Sequence, residues 1–305
     1  MVHILIPAHN NRLEVIALLQ CLERQQGVEQ QVVLIDDGSV DETVETVNGR
    51  FPTVSVLRGD GNLWWTGANV LGVAHVRNGA RDRDFILLLN NDVTVGKDYV
   101  AELVRCSEKL GRAIVGSTVV DHEHPERIVA GLRMDRRLRV TENSDAVVIG
   151  KTEYDDQVDV LPGRGMLVPI EVFDRIGTFD HRRLPHYGAD YEFSIRAKRA
   201  GFTLAVSHRA KAYANFRITG WHLPDRATLS MKESLQLLFS RKSTANLLYY
   251  LRYVWLCSEP DCKVRNTFSQ GLGLLLNTIG KTTLGVPIAA CVRFCLKSAR
   301  KFKAL

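Results

Sequence analysis

Two acidic strand ends carry the clearest chemistry in this chain. The apolar run Phe85-Ile86-Leu87-Leu88-Leu89 ends in Asn90, Asn91 and Asp92, and Val32-Val33-Leu34-Ile35 ends in Asp36 and Asp37. A hard divalent cation such as Mg²⁺ or Mn²⁺ prefers oxygen ligands and often sits between one or two carboxylates and phosphate oxygens. Asp92 suits that task, because a bound metal neutralises the charge that develops on a diphosphate leaving group. Asp36 and Asp37 suit another, accepting hydrogen bonds from a nucleobase N–H or a ribose hydroxyl. Either acidic end alone also fits a turn or a helix cap. The two together, at the carboxyl ends of strands in one sheet, point to a binding crevice.

Positioning these residues takes a regular alternation of strands and helices. Apolar runs at 3–6, 32–35, 54–57, 85–89 and 113–116 read as strands, and the run at 85–89 reads as buried on both faces. Helical patterns fall between them, with Asn10 or Asn11 capping the first, then segments near 41–48, 66–78 and 97–110. This order predicts an α/β fold, a mostly parallel central sheet flanked by helices. Residues 120–160 are polar and charged and read as strands and loops. Leu161–Val168 is a Gly-punctuated apolar segment, 171–176 a short helix, and 189–200 a helix ending at Gly201.

The formal charge of +6 is unevenly placed. No acidic residue follows Asp261, whereas Lys263, Arg265, Lys281, Arg293, Lys297, Arg300, Lys301 and Lys303 do, leaving a near-neutral body of 32 basic and 34 acidic side chains. That argues against a nucleic-acid-binding body and for an anionic surface near the C-terminus. Beyond Pro287 the basic residues share one helical face and Val292, Cys295, Leu296, Ala299 and Phe302 the other, as in a membrane-surface helix. The alternative is a helix packed on the body. Six cysteines without zinc-site spacing read as free thiols of a reducing cytosol. No leader peptide or uninterrupted transmembrane stretch is visible.

Six segments in order carry a family resemblance: ILIPAHNN (4–11), VVLIDDGSVDET (32–43), GNLWWTGANVLGV (61–73), FILLLNNDV (85–93), LPGRGMLVPIEVFDRIGTFD (161–180) and HYGADYEFSIRAKRAGF (186–202). Across roughly residues 3–215 the chain resembles the family 2 inverting glycosyltransferases, which have the nucleotide-diphospho-sugar transferase (GT-A) fold, and is similar to rhamnosyltransferase-like bacterial members. The resemblance implies that Pro7, Ala8 and His9 line the nucleotide pocket and that Asp36 and Asp37 hold base and ribose. It sets Trp65, Gly67, Asn69 and Asn91 beside the donor. Asp92 falls where the family's metal-binding acidic motif ends, with Asn90 and Asn91 in place of other acids. An inverting transfer is a single displacement, so the acceptor hydroxyl loses a proton as it attacks, and a carboxylate is the usual base. Asp190 takes that position, Ala189 replaces the first acid of the family's pair, and Glu192 matches a supporting acid. Gly163, Arg164 and Gly165 match the floor between donor and acceptor. The family's metal-ligating His falls at Ala214 or Asn215, so the third ligand is unassigned; His222 is a candidate from a loop, and His208 reads as structural.

The expected protein is a cytoplasmic enzyme, peripheral at the inner face of the cell membrane. It takes a nucleoside-diphosphate sugar and a divalent metal (Mg or Mn) and glycosylates a glycan or lipid-linked acceptor, without nucleic acid as a partner. The expected domains are a catalytic one at 1–225, with a nucleotide-binding half (1–119) and an acceptor-binding half (120–225), and a basic helical region at 226–305. A sugar-1-phosphate nucleotidyltransferase is disfavoured, because Pro7-Ala8-His9-Asn10-Asn11-Arg12 offers no Gly-rich, basic triphosphate loop. A non-catalytic nucleotide-sugar-binding or scaffolding relative is the alternative, given the acids missing at Asn90, Asn91 and Ala189.

Overall fold

The computed structural model describes residues 1–142, 151–216 and 229–280. The chain divides into two compact units, Met1–Ile218 and Thr219–Leu305. In the first, β1 (Val2–Ala8), β2 (Gln30–Asp36), β3 (Ser55–Arg58) and β4 (Phe85–Leu88) form a parallel block in the order β3-β2-β1-β4. Helices α1 (Arg12–Leu22), α2 (Thr43–Arg50) and α3 (Trp64–Arg77) make the crossovers. Alternation along β1 explains why its run is apolar throughout. Ile4 and Ile6 join the core under α1 and α4 (Tyr99–Lys109), while Leu5 points the other way, against Gly72 of α3.

The other half of the sheet is mixed. After β5 (Val93–Val95) and α4 the chain forms β6 (Ile114–Asp121), followed by the short strands β7 (Ile128–Val129), β8 (Leu132–Met134), β9 (Val140–Glu142) and β10 (Tyr154–Asp155). The apolar segment read at 161–168 becomes β11 (Met166–Pro169), wedged antiparallel between β4 and β6. Its backbone therefore closes a gap that strands nearer in sequence leave open. Helices α5 (Ile170–Ile176) and α6 (Ala189–Arg199) follow, then β12 (Leu204–Ala214), parallel to β6 and antiparallel to β5 and β10. The second unit contains α7 (Met231–Phe239), α8 (Leu247–Cys257) and α9 (Lys263–Gly280). Cys21, Cys106, Cys257 and Cys262 are free thiols, as expected. His222 and the amphipathic segment beyond Pro287 lie outside the described residues.

Candidate functional site

The carboxyl ends of β1, β2 and β4 meet at one edge of the sheet, where parallel strands open their ligand crevice. At β1, Pro7 is half-buried, Ala8 buried and His9 exposed. The His9 ring lies with Nδ1 2.7 Å from the Asp37 carbonyl and Nε2 3.0 Å from Asn10 Nδ2. A carbonyl only accepts, so Nδ1 carries the proton and Nε2 receives the Asn10 amide.

Asp36 and Asp37, both buried, divide their work. Asp37 Oδ1 accepts from the Gly61 N–H at 2.9 Å and Oδ2 from the Trp64 N–H at 2.9 Å. This carboxylate therefore shapes the loop between β3 and α3. Trp64 sits in the left-handed region at φ 55° as a result of that anchoring. Asp36 Oδ2 accepts from the Ser39 N–H at 3.1 Å, while its buried Oδ1 has no hydrogen-bond partner among the described residues. A buried acceptor left unpaired is costly unless a ligand donor meets it. Asp36 is thus the freer of the pair.

Trp65 links the loop after β4 to the segment before β11. Its Nε1 donates to Asn90 Oδ1 at 3.0 Å, and its ring meets Phe179 edge-on at 5.6 Å. A Cβ on Gly163 would lie 2.1 Å from Trp65 Cζ2, so only glycine lets the 163 backbone pass this ring. Gly165 is constrained as tightly, at φ 89° with Ser117 Oγ and Tyr99 Oη each 2.3 Å from where its Cβ would be. Asn69 and Gly67 are buried in α3, and Asn69 donates to the Trp65 carbonyl at 2.9 Å. These two support the Trp65 turn from beneath.

Past β4, the Asn91 and Asn11 side-chain amides approach to 3.4 Å, joining the β1 and β4 loops. Asp92 follows with a buried Oδ1 that has no hydrogen-bond partner among the described residues. The β5–β12 register sets Ala214 against Val93, so positions 214 and 215 do lie beside the Asp92 loop. Neither side chain there is an imidazole, and Asn215 donates to Glu123 Oε1 at 3.0 Å. Among the described residues no group of three His, Cys, Asp or Glu could hold a metal by itself. One orphaned carboxylate oxygen fits a cation only as a shared ligand, with phosphate and water completing the shell. His208, read as structural, is buried with Nδ1 2.9 Å from Thr152 Oγ1.

Asp190 stands in the first turn of α6. Its Oδ2 accepts from the Gly163 N–H and its Oδ1 from the Tyr191 N–H, both at 2.9 Å. Removal from water raises its pKa above the usual 3.8; those N–H donors and the Arg164 charge oppose the rise without cancelling it. The result is a carboxylate held in place with heightened proton affinity. Arg164 is half-buried, and its Nε has no hydrogen-bond partner among the described residues. Glu192, expected as the supporting acid, is engaged by Arg196. Both oxygens are taken by Arg196, at 2.8 and 2.9 Å, and Arg196 also binds the Ile176 and Thr178 carbonyls. That makes it a clamp between α6 and the turn after α5.

Two residues escaped the sequence reading. His186 packs beside Trp64 at 5.3 Å and Tyr187 at 4.2 Å, with a buried Nδ1 that has no hydrogen-bond partner among the described residues, and burial lowers its pKa to about 4. Phe179 backs Trp65. Only the aromatic character of His186-Tyr187 next to Gly188 and Asp190 could have flagged the first.

Known proteins can now be set beside this geometry. The sequence profile of Glycosyl transferase family 2 matches residues 3–176. An uncharacterized glycosyltransferase of Haemophilus influenzae is 35% identical over 95 residues, 30% of this chain and 29% of that protein. The chain thus aligns with under a third of that relative's length. GalNAc-T7, solved with UDP, GalNAc and Mn²⁺, superposes with a TM-score of 0.58 at 16% identity, covering 88% of this chain and 54% of that one. S. aureus TarS superposes at 0.52 with 13% identity, covering 92% of this chain and 48% of that one. At such identities the likeness establishes the fold, which is the GT-A type. With its profile match spanning more than half of its length, the chain belongs to glycosyl transferase family 2.

Proposed function

We infer that this protein transfers a sugar from a nucleoside-diphosphate donor to a hydroxyl of a glycan or lipid-linked acceptor, with inversion at the anomeric carbon. The observation that carries this reading is the continuous contact path from His9 and Asp37 through Trp64, Trp65 and Asn90 to Gly163 and Asp190. It joins a nucleotide-type crevice to a carboxylate of raised proton affinity, which is what a single-displacement transfer needs.

Asp36, through its unpaired Oδ1, takes a base or ribose donor group, while Pro7, Ala8 and His9 bound that pocket. Asp37 fixes the loop that carries Trp64. Asn91 and Asp92 border the diphosphate, where Asp92 would hold a divalent metal. That metal neutralises leaving-group charge when bound. On the acceptor side, Arg164 and the Gly163–Gly165 floor orient the hydroxyl. Asp190 receives its proton as the new C–O bond forms and the bond to the diphosphate oxygen breaks. Residues 1–119 serve the nucleotide and 120–225 the acceptor. The basic segment after Asp261 holds the enzyme at an anionic membrane face on the cytoplasmic side, where lipid-linked acceptors gather.

A melting-shift screen of UDP-, GDP- and dTDP-sugars with Mn²⁺ tests donor binding, because a ligand of the folded state alone raises stability. Asp190→Asn should keep that shift and lose transfer by about 10²-fold or more. Full transfer by Asp190→Asn would remove the assigned base. No shift with any nucleotide sugar would remove the donor reading.

A further inference from the structure

One helix of the second unit has an inverted polarity. Globular helices turn apolar residues inward and polar ones outward, yet α9 does the reverse. Its buried residues are Asn266, Gly271 and Thr278, whereas Val264, Phe268, Leu272, Leu276 and Ile279 are exposed, Val264 and Phe268 at 73% each. The contact with α8 is polar and close. Tyr250 Oη donates to Gln270 Oε1 at 2.5 Å, Asn266 Nδ2 to Ser258 Oγ at 3.2 Å, and a Cβ on Gly271 would lie 2.6 Å from Leu251 Cδ2. Small and hydrogen-bonding residues between helices with aliphatic residues outside is the packing of helices in lipid. Helix α7 buries Leu237 and Leu238 in the usual way but also exposes Met231, Leu235 and Phe239 along another face.

Charge identifies the occupant. No acidic residue follows Asp261, and Lys263 and Arg265 open α9. Trp255 is exposed with the Lys263 ammonium 5.0 Å from its ring, a cation-bearing aromatic pair suited to the headgroup layer. No described helix is long and apolar enough to cross a membrane. An apolar helical face of this kind beside cationic side chains instead lies in the plane of the interface. We propose that the α8–α9 hairpin is a membrane-docking surface whose apolar stripe, Val264, Phe268, Leu272, Leu276 and Ile279, enters an anionic phospholipid leaflet. The stripe lies within the basic region after Asp261, so the inference rests on the membrane reading proposed above, while vesicle binding is independent of sugar transfer.

The test is co-sedimentation of the full chain with phosphatidylcholine vesicles with and without 30% phosphatidylglycerol, a standard probe composition at roughly physiological salt. The full chain should bind the anionic vesicles, and a chain ending at Gly280 should retain binding above that to neutral ones. Phe268→Glu combined with Leu272→Glu and Leu276→Glu should weaken binding at least tenfold. Leu13→Glu, an equally exposed apolar site on α1 (73%), should leave it unchanged. The triple variant should keep its melting temperature and its nucleotide-sugar melting shift, which separates lost docking from lost folding or donor binding. Undiminished vesicle binding by the triple variant overturns the proposal. So does light scattering that shows a dimer of the full chain, dissociated by the triple variant, together with no vesicle binding, since a second copy then covers the stripe. Absence of any donor shift in the wild type would instead count against sugar transfer and leave the vesicle result standing.

Discussion

Gly163→Ala is the sharpest perturbation of the site, because one methyl group meets an immovable ring. The added carbon would sit 2.1 Å from Trp65 Cζ2 and 2.6 Å from Cη2. Carbon atoms in contact prefer about 3.5–4.0 Å, so ring and backbone must part by roughly 1.5 Å. Trp65 is held on its far sides by the 3.0 Å bond to Asn90 and the ring of Phe179, and Gly163 by its N–H to Asp190. Overpacking of this kind costs about 1–3 kcal/mol, and losing either hydrogen bond adds about 1 kcal/mol. A total of about 2–4 kcal/mol lowers the melting temperature by roughly 5–15 °C at this size. Either shift also moves Asp190 or the Asn90 loop by about 1 Å, enough to lower turnover by about 10²-fold. Trp65→Phe removes the colliding indole carbons, so adding it to Gly163→Ala should recover most of the stability while turnover stays low. Calorimetry and steady-state transfer on the three variants decide the matter. A Gly163→Ala protein that melts and turns over like the wild type would refute the close-packing argument.

Three further outcomes follow from individual side chains. Asp92→Asn should leave the melting temperature within about 0.5 kcal/mol of wild type, since its Oδ1 has no partner to lose, yet abolish the Mn²⁺-dependent part of the donor shift. A retained Mn²⁺ response rules out Asp92 as the shared ligand. Glu192→Gln should cost about 1–3 kcal/mol by weakening a bidentate pair that is only partly shielded, with donor affinity unchanged; a selective kcat loss without destabilisation would show that it also acts in catalysis. His186 is held neutral when folded, with its pKa lowered from 6.5 to about 4, so between those values the unfolded chain binds the extra proton. Stability should therefore fall as pH drops from 6.5 to 4, and His186→Gln should flatten that slope in a melting series; an equal slope in both proteins removes the assignment.

The parallel block was legible because its signals are local. The apolar runs of β1, β2 and β4 are continuous since helices cover both faces, and the acidic residues that end them fall where chain direction requires a crevice. The β11 insertion was not legible. Leu161–Val168 reads only as a Gly-punctuated apolar segment, and nothing in it names β4 and β6 as partners. The division of labour within the acidic residues was equally hidden. Asp36 and Asp37 are neighbours of identical type, yet only the loop geometry commits both oxygens of Asp37 to Gly61 and Trp64.

By itself the sequence determined the GT-A architecture, the family and the few places where carboxylates could reach a ligand. Hydrophobic period and turn chemistry act over a few residues, and six ordered segments leave little freedom for another fold. Tertiary structure decided which of those residues are occupied and which are free. It turned Glu192 into a clamp on Arg196, left Asp36 and Asp92 each with an unpaired oxygen, and bound Asp190 to the Gly163 backbone. It also turned the apolar side of α9 outward. The reason is common to all of these. Whether a polar group is satisfied or an apolar face covered depends on partners distant in the chain, and no local pattern encodes their positions.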